Sequence, residues 1–290
     1  MGPRTMTLPI LTALPGERRG YVDGREGQIH YRRMGAGPPV VLVHQAPWAS
    51  IQFRHVLPTI AALGYDAIAI DLPGHGMSDP PTEPGIPVYA RALAALTDGL
   101  GLGPAIFIGH RGGGLAAGNL AAERPERVAG LILDNAPLRT AQERTASLGR
   151  FPDDQAIAPD GSHFGQRWAW VRRFGDPDWS DETVHISVIT YFAHGPWKEQ
   201  GHSAIPRHDF EADVPRILAP TLILASRTDP LFESGARLAR ARPDWEYAEL
   251  PGGPGMVLDR PAEWIVPVQE FLNRIVPAEA RENPVYKPPI

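Results

Sequence analysis

The residues best suited to chemistry lie in Ile106–Gly114, IFIGHRGGG. An apolar run enters Gly-His-Arg-Gly-Gly and continues into small residues that suit a helix. A tight strand-to-helix turn here would present its middle residue, Arg111, at a helix N-terminus. Backbone N–H groups there lack intrahelical partners, and the helix dipole favours negative charge. A guanidinium stays protonated in proteins, so Arg111 cannot act as nucleophile or base. Its chemistry is to hold an anion such as a carboxylate, enolate or phenolate. A further donor is expected from the N–H of Gly112. Proton transfer then needs a separate group. The candidates are His163, His202 and His208, together with Asp71 and Asp229.

Neighbouring residues carry plainer expectations. His110 precedes the turn and is expected to be hydrogen-bonded in the packing rather than catalytic, while remaining a candidate substrate contact. Trp48 is expected to line the pocket. His44 should be structural and His75 part of a turn. Ser226 lies near Asp229 but has no base at a recognisable spacing. His202 and His208 stand at a spacing that matches no common zinc signature, so no metal is expected.

Short apolar runs alternate with helical patterns around these residues. Val40–His44, Asp66–Ile70, Ala105–Gly109, Val128–Asp134, Thr221–Ala225 and Trp245–Leu250 read as strands. Ile51–Leu63, Tyr89–Leu102, Gly113–Glu123, Leu231–Ala241 and Pro261–Ile275 read as helices. Gly20–Val22 and Gln28–Arg32 read as a small antiparallel start, and Asp71–Pro87 as a loop. Strand alternating with helix predicts an α/β fold with a mostly parallel, doubly wound sheet. The core is expected over residues 20–137 and 218–276. Between Leu138 and Ile217 the rhythm breaks. That stretch holds Trp168, Trp170, Trp179, Trp197 and five of the ten histidines. It reads as a helical lid, residues 138–217, whose tryptophans belong mainly to its own packing, with room for one of the four to face the cavity. Residues 277–290 read as a loosely held tail.

These segments, in this order, resemble the α/β-hydrolase family. IFIGHRGGG resembles its nucleophile elbow, VVLVHQAPWAS its oxyanion loop, and DLPGHGMSD the loop that follows; the oxyanion loop reads His44-Gln45-Ala46-Pro47 where the family usually has His-Gly, and the resemblance implies the N–H and side-chain amide of Gln45 as further donors. LASRTDP resembles the strand end carrying its acid, at Asp229, and Pro251–Pro261 the loop carrying its histidine. The resemblance implies a Ser-His-Asp triad and acyl-enzyme hydrolysis. This chain departs from it. Arg111 stands at the nucleophile position and Pro254 or Gly255 at the histidine position. No histidine follows His208. The triad's hydrogen bond from nucleophile to base therefore has no partners. A second reading of Arg111 follows: it reaches into the space of the missing histidine and pairs with Asp229 as a structural ion pair.

Composition excludes several classes. The chain has 290 residues, 43% hydrophobic and 21% charged, enough for a sizeable core. A net charge of -5 offers no basic footprint for nucleic acid. With no cysteine, thiolate nucleophiles, disulfides and Cys-ligated metals are out. Met1–Gly20 does not read as a signal, and no apolar run reaches the roughly 18 residues of a membrane span. The expected location is cytoplasmic. No dinucleotide or phosphate loop follows a strand, so no cofactor is expected. The expected partner is a small-molecule substrate or ligand. Three classes stay open: a cofactor-independent, non-hydrolytic enzyme (lyase, isomerase, cyclase or decarboxylase), a hydrolase with directly activated water, and a catalytically silent binder.

Overall fold

The structure is a computed structural model that describes residues 12–149, 157–176, 179–194 and 200–282. Strands β1 (Arg18–Gly24), β2 (Gly27–Gly35), β3 (Pro39–Val43), β4 (Asp66–Ile70), β5 (Ala105–His110), β6 (Val128–Asp134), β7 (Thr221–Ser226) and β8 (Glu246–Leu250) form one sheet. Its spatial order is β1-β2-β4-β3-β5-β6-β7-β8. β2 runs antiparallel to β1 and β4, and every other pairing is parallel. The expected α/β architecture with a mostly parallel sheet is what forms. β3, β4, β5 and β7 are buried at every residue, as strands covered on both faces must be.

Strand periodicity divides the core in two. Val41, Val43 and Phe107 face one apolar cluster, while Val40, Leu42, Ile106 and Ile108 face the other. Helices α2 (Ile86–Gly99) and α3 (Gly112–Glu123) contribute to the first. Helices α1 (Leu57–Ala62) and α11 (Pro261–Ile275) contribute to the second. α9 (Phe232–Ala241) follows β7, and α10 (Met256–Asp259) precedes α11.

Two helices differ from expectation, and prolines explain both. The single helix expected over Ile51–Leu63 is a 3-10 turn at Ser50–Phe53 followed by α1. Pro58 sits in the first turn of α1; inside one long helix it would remove a hydrogen bond and clash with the carbonyl four residues back. α2 begins at Ile86, before the expected Tyr89, because Pro87 is pre-set for a helix's first turn.

Between β6 and β7 lie α4 (Ala141–Ser147), α5 (Ser162–Phe174), α6 (Asp181–Ala193), α7 (Gln200–Ala204) and α8 (Phe210–Asp213), with no strand among the described residues. Val171 of α5 packs against Val184 and Val188 of α6 in a small core of their own. The expected loose tail needs correction at its start. α12 spans Ala278–Glu282, Ala280 is buried in the second core cluster, and Arg281 donates to Asn273 Oδ1 at 2.6 Å. Residues 1–11 and 283–290, and Trp197, lie outside the described residues. Among the described residues no helix is long and apolar enough to cross a membrane.

Candidate functional site

Arg111 occupies the turn between β5 and α3 with φ 49° and ψ -113°. A non-glycine residue there carries about 1–3 kcal/mol of strain, so its surroundings must hold it. Its N–H donates to the Asp134 carbonyl at 2.8 Å, and its carbonyl accepts the Gly114 N–H at 2.9 Å. Tight packing does the rest. A Cβ at Gly109 would lie 2.4 Å from the Gly114 Cα, and one at Gly113 would lie 2.2 Å from the Val43 carbonyl oxygen. Only glycines let strand, turn and helix approach this closely.

The turn delivers Arg111 to Asp229, just beyond β7. Nη2 donates to Oδ1 at 2.7 Å and Nε to Oδ2 at 3.3 Å. Oδ1 also accepts the Leu231 N–H at 2.7 Å. The Asp229 side chain is 0% exposed and that of Arg111 is 26% exposed. The pair uses the Nε and Nη2 side of the guanidinium and leaves the Nη1 edge outside it.

Arg111 and Gly112 line a cavity of about 330 Å³. Gln45 and Trp48 contribute from the loop after β3, Thr228 and Leu231 from the loop after β7, and Pro254 from the loop after β8. The helical insertion supplies Arg167, Trp170, Asp176, Trp179, Ser187 and His202. Arg139 joins them. The Arg167 guanidinium stacks on Trp170 at 4.2 Å and on Tyr191 at 3.7 Å. The structure thus brings Arg111, Asp229, Gly112, Gln45, Trp48 and His202 together.

Other expectations need correction. The Gln45 N–H is no donor to the cavity, because it already donates to Gln52 Oε1 at 3.1 Å; only its side chain is available. His163 does not line the cavity. Its Nδ1 accepts the Ala158 N–H at 3.2 Å and its ring packs on Phe164 and Phe192. His208 is tied to Asp213 at 2.7 Å. Asp71 is buried beneath the loops, where His30, the Ser50 N–H and the Met77 N–H all meet its carboxylate. Burial alone would raise its carboxyl, but the His30 contacts and the neighbouring His44 hold it below the ordinary range.

His110 proves to be a packing residue behind the turn. Its Nδ1 lies 2.7 Å from Asp134 Oδ2, which also accepts the Trp264 indole N–H at 2.9 Å. Ser226 accepts from Asn135 Nδ2 at 3.0 Å. His44 is structural: its Nε2 accepts the Leu72 N–H, so Nδ1 carries the proton and donates to the Gln45 carbonyl at 2.7 Å. His75 does more than shape a turn. Its ring packs tilted or edge-on, 5.1 Å from His44, 5.0 Å from His194 at the end of α6, and 6.0 Å from Tyr89. Burial pushes all three histidines below the ordinary value, His75 far below and His194 to about 3.

The space at the loop after β8 is filled from the insertion. A Cβ at Gly255 would meet Trp179 Nε1 at 2.0 Å, and one at Gly253 would meet Asp176 Oδ2 at 2.3 Å. Trp179 stands edge-on to Trp48, with centroids 5.8 Å apart and planes at 79°. Sequence reasoning missed Asp176, Arg139 and Arg167. It left room for one of the insertion's four tryptophans to face the cavity, and both Trp170 and Trp179 line it. The glycine run Pro251–Gly255 was the available signal, since such runs mark close approach of another segment.

A family model described as alpha/beta hydrolase fold matches residues 38–261. Bifunctional epoxide hydrolase 2 of Sus scrofa is 34% identical over 150 residues, which are 50% of this chain and 27% of that protein. The chain thus spans about a quarter of that relative's length. Haloalkane dehalogenase 2 of Mycobacterium bovis is 33% identical over 255 residues, 82% of this chain and 88% of that one. The solved structure of the enol-lactonase from Burkholderia xenovorans LB400 superposes with a TM-score of 0.72 at 22% identity, covering 87% of this chain and 99% of that one.

Proposed function

The chain belongs to the alpha/beta hydrolase fold family, and on that premise we propose that it is an enzyme that stabilises an anion of a small, partly apolar substrate without a Ser-His-Asp triad. The reaction is cofactor-independent and non-hydrolytic: a lyase, isomerase, cyclase or decarboxylase step. One observation carries this reading. The residue held in the strained turn is a guanidinium, anchored by a buried carboxylate, and it lines the cavity. An anchored cation needs no reorganisation when charge develops beside it, which is the basis of electrostatic catalysis.

The roles follow from placement. Arg111 Nη1 and the N–H of Gly112, in the first turn of α3, hold the developing negative charge. His202 lines the same cavity and moves the proton. Asp229 positions Arg111 and takes no proton itself, because its oxygens are committed to Arg111 and Leu231. Tryptophan walls exclude water from a charged intermediate. The helical insertion serves as the lid of this cavity.

A second reading has its own support. Relatives named epoxide hydrolase and haloalkane dehalogenase favour hydrolysis, with His202 or Asp176 holding the attacking water. Proton NMR in D₂O separates the two. Incubation with arylpyruvates should give exchange of the enolisable proton above the buffer rate, lost in Arg111→Gln. Turnover of styrene oxide or phenyl acetate with ¹⁸O from labelled water, and no exchange, would establish hydrolysis instead. Neither activity would leave a silent binder.

A further inference from the structure

Trp179 belongs to the insertion, yet it forms part of the wall facing Arg111's cavity beside a loop of the core. Its position is set from three sides. Its carbonyl accepts from Arg172 Nη1 at 2.6 Å, and its N–H donates to the Asp176 carbonyl at 3.1 Å. Its ring meets Trp48, which is buried at 2% exposure. Gly255 supplies the room, because any side chain there would collide with the indole. The loop after β8 thus gives up its own side-chain volume, and an aromatic ring from the insertion takes it.

The resulting cavity has an unusual pairing of surfaces. Two indoles at right angles, Trp48 and Trp179, form an aromatic wall, and the guanidinium of Arg111 lines the same space. The Trp179 Nε1–H is buried with no acceptor among the described residues. That edge of the indole lies against Gly255 and is closed to the cavity. We propose that Trp179 is the specificity-determining residue and that the substrate class is a planar aromatic acid, its ring against the Trp48–Trp179 wall and its carboxylate on Arg111. The proposal rests on the reading of Arg111 as the anion's partner.

Aliphatic acids of the same size satisfy Arg111 but lose the ring–ring contact, a difference of about three- to tenfold in affinity. Uncharged amides keep the ring contact and lose the ion pair. Two residues therefore control two separate discriminations.

Isothermal titration of the full chain with phenylacetate, cyclohexylacetate and phenylacetamide tests this. Phenylacetate should bind about three- to tenfold more tightly than cyclohexylacetate, and also more tightly than phenylacetamide. Trp179→Ala should abolish the ring preference and keep the charge preference; Trp179→Leu serves if the alanine variant folds poorly. Trp179→Phe should keep most of the ring preference. The double variant Arg111→Gln/Asp229→Asn, which leaves no buried carboxylate unpaired, should abolish the charge preference and keep the ring preference. A wild type blind to ring type, a Trp179→Ala variant that keeps the preference, or no binding of any probe at millimolar concentration overturns the proposal. Ring preference without charge preference in the wild type overturns the Arg111 reading and leaves Trp179 as the selector of aromatic ligands.

Discussion

Arg111 and Asp229 form a two-point ion pair across 118 positions of sequence, at 2.7 and 3.3 Å. The pair is asymmetric. The carboxylate is fully buried and the guanidinium is only partly so. Asp229 therefore depends on Arg111 for its charge compensation, while the Nη1 edge of Arg111 lies outside the pair. On the proposed reading, the structural ion pair and the anion site are one object.

Breaking this pair from one side should be costly. Arg111→Gln strands a buried carboxylate and is expected to lower unfolding free energy by about 3 kcal/mol. Arg111→Gln/Asp229→Asn removes both charges and should lose less than the sum of the two single variants, with a coupling of at least about 1 kcal/mol. Urea unfolding of the four proteins measures this. Simple additivity would mean the pair is energetically idle.

Restoring a hydroxyl at the turn should not restore ester hydrolysis. Arg111→Ser places a serine at the strained position, but no histidine follows His208, and Trp179 fills the space beside Gly255. With no base to activate it, the hydroxyl remains a poor nucleophile. Hydrolysis of p-nitrophenyl acetate should stay at the wild-type rate. Clear turnover would show that another group in the cavity, His202 first, reaches position 111.

Acid should loosen the contact between the core and the insertion. His44 and His75 come from core loops and His194 from the end of α6, and all three titrate below the ordinary value of 6.5 because they are buried. The unfolded chain therefore takes up protons first as pH falls through 6.5, and stability declines from there towards about 3, where His194 titrates when folded. Above pH 7 these groups contribute no slope. Urea unfolding at pH 7.5, 6.5 and 5.5 should give an unfolding free energy that falls as pH falls, by up to about 1.4 kcal/mol per pH unit for each group. His194→Gln should flatten the decline. An unchanged midpoint across this range would contradict the burial of the cluster.

A methyl group at Gly255 should disturb the aromatic wall. Its φ of -90° suits alanine, so backbone strain is not the issue. The new Cβ would overlap the Trp179 indole at 2.0 Å. Gly255→Ala should cost about 1–3 kcal/mol by overpacking and weaken the near-ultraviolet circular dichroism of the Trp48–Trp179 pair. Gly165→Ala, where nothing lies within 4 Å, is the control and should be neutral or slightly stabilising.

The sequence by itself determined the strands, their α/β alternation and the strand-to-helix turn at Arg111. These follow from local rules: runs such as VVLV and DAIAI are buried on both faces whatever surrounds them, and glycines at 109 and 113 mark close approach. It also named Asp229, through the resemblance of LASRTDP to the acid-bearing strand end of the α/β-hydrolase family. What the tertiary structure alone decided is the company these residues keep. Gln45 looked like a backbone donor until Gln52 took its N–H. His163 and His202 looked equivalent until packing turned one onto two phenylalanines and the other into the cavity. Trp179 looked like packing within the insertion until the glycines of a distant loop made room for it. Such outcomes depend on which surfaces meet across the sheet edge, and side-chain contacts between segments far apart in sequence leave no periodic trace in either of them.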